Sequence, residues 1–143
     1  MKHNAEAAAR ANYGGLEQLF RGAELECRCE PGFELILDRI ADADTLAIGA
    51  PTLAETGIVL GNRIGEKARI LLIQFLHEWR VHIIPFGQHH WSEAVNAYLR
   101  YGKGRHKAGL NFGDCMSFAV ARLSGQSLLC TGEDFAKTEI ELA

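Results

Sequence analysis

No apolar run in these 143 residues approaches the roughly 20 needed to cross a bilayer. The opening Met1-Lys2-His3-Asn4-Ala5-Glu6 lacks the apolar core of a secretory signal, so a cytoplasmic chain with no membrane partner is expected. Charge of one sign is not in excess either. The formal net charge is −3, which gives no global attraction to nucleic acid; any such binding must come from a local basic patch or from cations that neutralise acidic groups. A Gly-rich phosphate loop and a nucleophile elbow are both missing, which argues against a small-molecule enzyme on an α/β scaffold. Cysteine is sparse: Cys27 and Cys29 stand too close for a zinc knuckle and no second pair answers them. Cys115 and Cys130 lie in apolar contexts, where a thiol behaves as a small core residue. No internal repeat is apparent, and no Asp occurs before Asp38.

What is present is an ordinary globular composition, 48% hydrophobic and 23% charged, in a length that suits one domain. Residues 1–30 read as an atypical N-terminal segment, in which Ala5 to Ala11 favour helix and Glu24 to Glu30 offers little to bury, followed by a domain over 31–143. Phe33, Ile36, Leu37 and Ile40 recur at helical spacing to about Ala43. Thr45 to Ile48 reads as a short strand, and Pro51 suits the first turn of a second helix that runs to Ile64 and stops at Gly65. Glu66 to Trp79 is a third helix, apolar almost all round from Ile70 to Leu76, as expected of a well-buried element. Val81 to Ile84 is a strand ended by Pro85. Trp91, Ala94, Val95, Tyr98 and Leu99 mark the inward stripe of a fourth helix. After the polar loop Gly102 to Gly109, Asn111 caps a fifth helix whose stripe is Phe112, Cys115, Met116, Ala119 and Leu123. Ser127 to Thr131 reads as a last strand. Short apolar strands alternating with helices imply an α/β fold with a mostly parallel sheet, whose ligands gather beyond the carboxyl ends of the strands.

Three acidic positions fall where that pattern puts ligands. Glu55 interrupts an otherwise apolar helix, and no basic residue stands three or four positions away to explain it as a helical ion pair. It is either a solvated residue at the helix rim or a carboxylate with a cationic partner. Asp114 sits three residues after Asn111, where an acid serves equally as a cap or as a ligand. Glu133 and Asp134 follow the last strand, as turn acids or at its ligand end. Oxygen donors without His or Cys suit Mg²⁺ or Mn²⁺.

The stretch Tyr101-Gly102-Lys103-Gly104-Arg105-His106-Lys107-Ala108-Gly109-Leu110-Asn111-Phe112-Gly113-Asp114-Cys115 resembles the YGKGRHPAxLNFGDC segment of VapC-like PIN domains. Ala50 to Leu60 resembles that family's helix bearing its second acid, Leu128 to Ile140 resembles its closing LLFKGxDFxxTDI segment, and Glu30-Pro31-Gly32 resembles the step opening its first long helix. The likeness covers about Glu30 to Ile140, with four motifs in order. It implies a three-layer, Rossmann-like PIN fold, a mostly parallel central sheet flanked by helices. It implies an endoribonuclease using Mg²⁺ or Mn²⁺, the toxin of a VapBC-type toxin–antitoxin pair, with RNA as substrate, a cognate antitoxin as partner and a homodimer as its assembly. Glu55, Asp114 and Asp134 would be metal-site acids, with Glu133 a further catalytic acid, and Lys103, Arg105, His106 and Lys107 would contact RNA phosphates.

One family motif is missing. A strand ending in DxSA normally stands about ten residues before the Glu-Pro step; here that position falls near Leu19-Phe20, and the nearby acids are Glu17, Glu24 and Glu26. Two explanations stand: a frameshift or misassigned start that replaced the native opening, or a divergent member that is catalytically impaired and keeps dimerisation or antitoxin binding.

Overall fold

A computed structural model of the chain describes residues 33–143. The expectations for residues 1–32, including Cys27, Cys29 and the Glu30-Pro31-Gly32 step, lie outside the described residues. The order is helix α1 (Phe33–Asp42), strand β1 (Ala47–Gly49), helices α2 (Ala50–Ile64) and α3 (Lys67–Glu78), strand β2 (His82–Ile84), helices α4 (Gln88–Tyr101) and α5 (Phe112–Ser124), and a 3₁₀ turn (Phe135–Lys137). The fold is α/β, and β1 and β2 pair in a two-stranded parallel sheet. The expected helices all appear, with Gly65 at φ +67 ending α2, a left-handed conformation that an L side chain rarely adopts. Among the described residues no helix is long and apolar enough to cross a membrane.

Two compact units are distinguishable. Among the described residues, the first comprises 33–47 and 57–82 and the second 48–56 and 83–143. In the first, Leu37 of the expected α1 stripe is buried and Ile36 and Ile40 are half-buried. His82 donates its backbone N–H to Leu46 O at 2.9 Å, which sets the register of the strand pair. Helix α3 departs from expectation. Ile70 and Ile73 are 60% and 56% exposed, and Ala68 is the helix's buried residue. A helix that is apolar all round still has only the neighbours its surroundings supply, and composition does not reveal how many there are.

The second unit holds a core of Ala94, Ala97, Tyr101, Ala108, Leu110, Cys115, Phe118, Ala119 and Phe135, with Phe86, Met116, Leu128, Cys130 and Ile140 packed against it. Helices α4 and α5 form its centre. The face that α4 buries is Ala94–Ala97–Tyr101, which shares only Ala94 with the expected stripe: Trp91, Val95, Tyr98 and Leu99 are 41–59% exposed. Small residues let the two helices approach closely, and the bulkier stripe beside them is left outside. Helix α5 likewise buries Cys115 and Ala119 as expected, adds Phe118, Val120 and Ala121, and leaves Phe112 and Leu123 exposed.

The expected strand Ser127–Thr131 is not formed. Leu128 makes a single parallel bridge to Leu142, with its N–H donated to Glu141 O at 2.8 Å and its carbonyl accepting from Ala143 N at 3.1 Å. One bridge leaves the segment extended without a ladder among the described residues.

Candidate functional site at the start of helix α5

The first turn of α5 is fixed by a reciprocal cap. Asn111 Oδ1 accepts the Asp114 N–H at 2.9 Å, and Asp114 Oδ2 accepts the Asn111 N–H at 2.9 Å. Both orphan amides are thereby satisfied, and the Asp114 carboxylate stands at the positive end of the helix dipole. The half-buried Asp114 also acts on two thiols. Burial first, and the Asp114 charge second, push the Cys115 and Cys130 thiols above their ordinary value.

Helix α2 brings Glu55 to the same turn. Three successive approaches align its beginning with α5 in opposite directions. A Cβ on Gly49, which immediately precedes α2, would stand 3.0 Å from Val120 Cγ2; Thr52 Oγ1 and Ser117 Oγ hydrogen-bond at 3.0 Å; and a Cβ on Gly113 would stand 2.7 Å from Glu55 Oε2. Positions 49, 52 and 55 thus ascend the chain as 120, 117 and 113 descend it towards the start of α5, at the three-to-four-residue spacing of facing helix rows. Gly113 has no side chain, and the Glu55 carboxylate occupies the space where one would be. The exposed Glu55 carboxylate therefore lies against Gly113 at the helix N-terminus, one position before Asp114 in the chain.

Asp134 and Glu133 are placed differently. Asp134 opens the 3₁₀ turn, is largely exposed, and its Oδ1 lies 3.5 Å from Lys137 Nζ; Glu133 is exposed. Among the described residues no three His, Cys, Asp or Glu side chains converge closely enough to hold a metal. Asp114 turns one oxygen back to its cap, Asp134 inclines to Lys137, and Glu55 lies against Gly113.

The basic loop is rigid rather than loose. Gly102 and Leu110 form a parallel bridge, Lys103 N–H reaches Leu110 O at 3.0 Å, and Ala108 and Leu110 are 1% and 0% exposed. A side chain on Gly102 would strike Tyr98, so the close turn requires glycine. Lys103, Arg105 and Lys107 project outward, with the Arg105 guanidinium 5.7 Å from the Tyr98 ring centre. His106 is partly spent on structure: its Nδ1 accepts the Ala108 N–H at 3.1 Å and its ring meets Tyr101 edge-on at 5.2 Å. Sequence reasoning did not single out Gly113 or Ser117. Their signal was present only as a small and a polar residue on the α5 face that meets α2.

This arrangement can be set against known proteins. The PIN domain model matches residues 24–141. The chain belongs to the PIN domain family. The match starts six residues before Glu30, where the motif likeness begins. Among relatives, the chain is similar to the ribonuclease VapC36 of Mycobacterium tuberculosis, 42% identical over 111 residues that span 78% of this chain and 80% of the relative. A ribonuclease VapC of Mycolicibacterium smegmatis is 41% identical over 78% of this chain and 86% of its own. A VapC ribonuclease of Rhizobium meliloti is 32% identical over 78% and 89%. Glu55, the basic loop and Asp114 of this PIN domain all lie inside the family match.

Proposed function

We propose that the chain is a metal-dependent endoribonuclease, the toxin of a VapBC-type toxin–antitoxin pair. The observation that carries this is the meeting of Glu55 with the Gly113–Asp114 step at the start of α5. The donor set, carboxylate oxygens only, suits a hard divalent cation such as Mg²⁺ or Mn²⁺. Glu55 and Asp114 would hold it, with Asp134 and Glu133 as additional acids from the turn after Thr131. When bound, such an ion supplies Lewis acidity at a scissile phosphate and an activated water as nucleophile. The chain's own part is positioning. The Asn111 cap fixes Asp114, the Thr52–Ser117 bond fixes α2 one turn before Glu55, and the closed loop holds Lys103, Arg105 and Lys107 outward to meet RNA phosphates. His106 keeps Nε2 for a phosphate contact, since Nδ1 serves the loop.

Two protein partners belong to this proposal. A cognate antitoxin would place a segment against the acidic turn of α5. A second copy of the chain would cover the apolar groove between α4 and α5, lined by Trp91, Val95, Tyr98, Leu99, Phe112 and Met116. Those six side chains expose on the order of 500 Å², given 150–250 Å² for a whole aromatic side chain. That is about the apolar share of one side of a standard dimer interface of roughly 800 Å² per partner.

The test is RNA cleavage with Mn²⁺, comparing the chain with Asp114→Asn. The expected result is cleavage by the parent and a loss of at least about 100-fold in the variant, the scale of removing a group that acts at the reacting phosphate. Equal cleavage by both, or cleavage by neither, would overturn the enzyme assignment. The second outcome would favour the impaired PIN module, a reading supported by the lack of any Asp before Asp38.

A further inference from the structure

Arg105 is employed differently from Arg100 and Arg122, the other arginines of its unit. Arg100 grips Glu139 with both branches, Nη1 to Oε1 at 2.6 Å and Nη2 to Oε2 at 3.0 Å. Arg122 donates to the same Glu139 oxygen and sets its Nε 3.1 Å from Glu93 Oε1. Those two guanidinium groups are spent on carboxylates. Arg105 has no carboxylate partner among the described residues and lies over an aromatic ring instead, its Cζ 5.7 Å from the Tyr98 centre.

Ring and guanidinium are tied to the same residue. Tyr98 is seated against Gly102, where a Cβ would stand 2.6 and 2.8 Å from the ring atoms Cδ2 and Cε2. The Arg105 N–H returns to Gly102 O at 3.0 Å, and the His106 N–H reaches the same oxygen at 3.2 Å. With Tyr98 on one side, the exposed Arg105 side chain has its other side open to solvent. A guanidinium is planar and weakly hydrated: its edge donates to phosphate oxygens, and its face receives flat π systems. Unpaired RNA bases are commonly bound by stacking on aromatic rings or on such planes. Lys103 and Lys107, exposed on the same loop, add charge for neighbouring phosphates but offer no planar face.

We propose that Arg105, backed by Tyr98, is a nucleobase-stacking residue that takes an unpaired base of single-stranded RNA on its solvent side. The proposal rests on the reading of the chain as a ribonuclease and narrows its substrate to RNA with unpaired bases at this loop. In a duplex the bases stack on one another and have no face to give. The base touches Arg105 and not the groove between α4 and α5, so that groove stays available to a second copy.

The experiment measures binding by fluorescence anisotropy in EDTA, where no metal-dependent cleavage intervenes, over a range of salt concentrations. The probes are a labelled oligouridylate and an abasic ribose-phosphate oligomer of equal length, every phosphate kept and every base removed. The parent should bind the oligouridylate about tenfold more tightly than the abasic oligomer, the scale of one stacked base. Arg105→Lys keeps the charge; it should lose most of that preference while its salt slope stays that of the parent. Tyr98→Leu should lose part of the preference, which is a ratio taken on one protein and so is insensitive to its assembly state. Arg105→Ala should weaken both probes and reduce the salt slope by about 0.7. A parent without preference for bases, or an Arg105→Lys variant that keeps the parent's preference, would overturn the inference and leave RNA binding in place. If the parent binds neither probe, the ribonuclease reading and the inference fall together.

Discussion

Gly113 is the residue on which the place of Glu55 at the start of α5 depends. Its missing side chain is the space the Glu55 carboxylate fills, with Oε2 2.7 Å from where a Cβ would stand. Gly113→Ala leaves the cap bonds to Asn111 untouched and favours helix, so the fold should keep its stability or gain a few tenths of a kcal/mol. The flexible end of Glu55 would have to yield. RNA cleavage with Mn²⁺ should then fall at least tenfold while the melting temperature holds; unchanged cleavage would show that the placement of Glu55 does not matter. The thiols beside Asp114 make a second residue-scale prediction. With its pKa raised in the folded chain, Cys115 keeps its proton where an unfolded thiol loses it. The sign follows: the contribution to stability is fully present below the ordinary value of 9.0 and is lost as pH rises above it. Urea titrations of the parent and Cys115→Ala should therefore show the parent's stability lead shrinking above pH 9. A lead that grows with pH would contradict the assigned direction.

At the scale of the element, helix α4 presents two faces with opposite fates. Ala94, Ala97 and Tyr101 pack on α5, while Trp91, Val95, Tyr98 and Leu99 look outward. If a second copy covers the outer stripe, Val95→Glu with Leu99→Glu should leave the monomer folded and shift sedimentation from dimer to monomer. A parent that sediments as a monomer at micromolar concentration would remove the dimer from the account. This helix also shows how far sequence reasoning reaches. Its existence and limits were legible from periodicity and from Gly102, but its buried side was not, because both faces are apolar and only the packing partner chooses between them. The small Ala94–Ala97 pair won over the larger stripe by permitting close approach to α5. Asn111 and Asp114 were legible because a cap is local chemistry. The expected last strand failed for the opposite reason: a strand needs a neighbour distant in sequence, and Leu128 finds only the single bridge to Leu142 among the described residues. The ion-paired Glu139 was invisible as well, since Arg100 and Arg122 lie 39 and 17 residues away.

At the scale of the whole molecule, the family match over residues 24–141 and relatives at 41–45% identity establish the PIN domain. The fold supplies a helix N-terminus, a second helix delivering Glu55 to it, and a rigid basic loop immediately before the cap. Glu55 and Asp114, 59 positions apart in the chain, are proposed to act as one unit in Mn²⁺-dependent RNA cleavage. The most direct test is a double-mutant cycle on the cleavage rate with Glu55→Gln, Asp114→Asn and the two combined. Two ligands of one ion should be strongly non-additive, with either single change costing nearly as much as both. Losses that multiply as independent factors, or a Glu55→Gln variant as active as the parent, would contradict it.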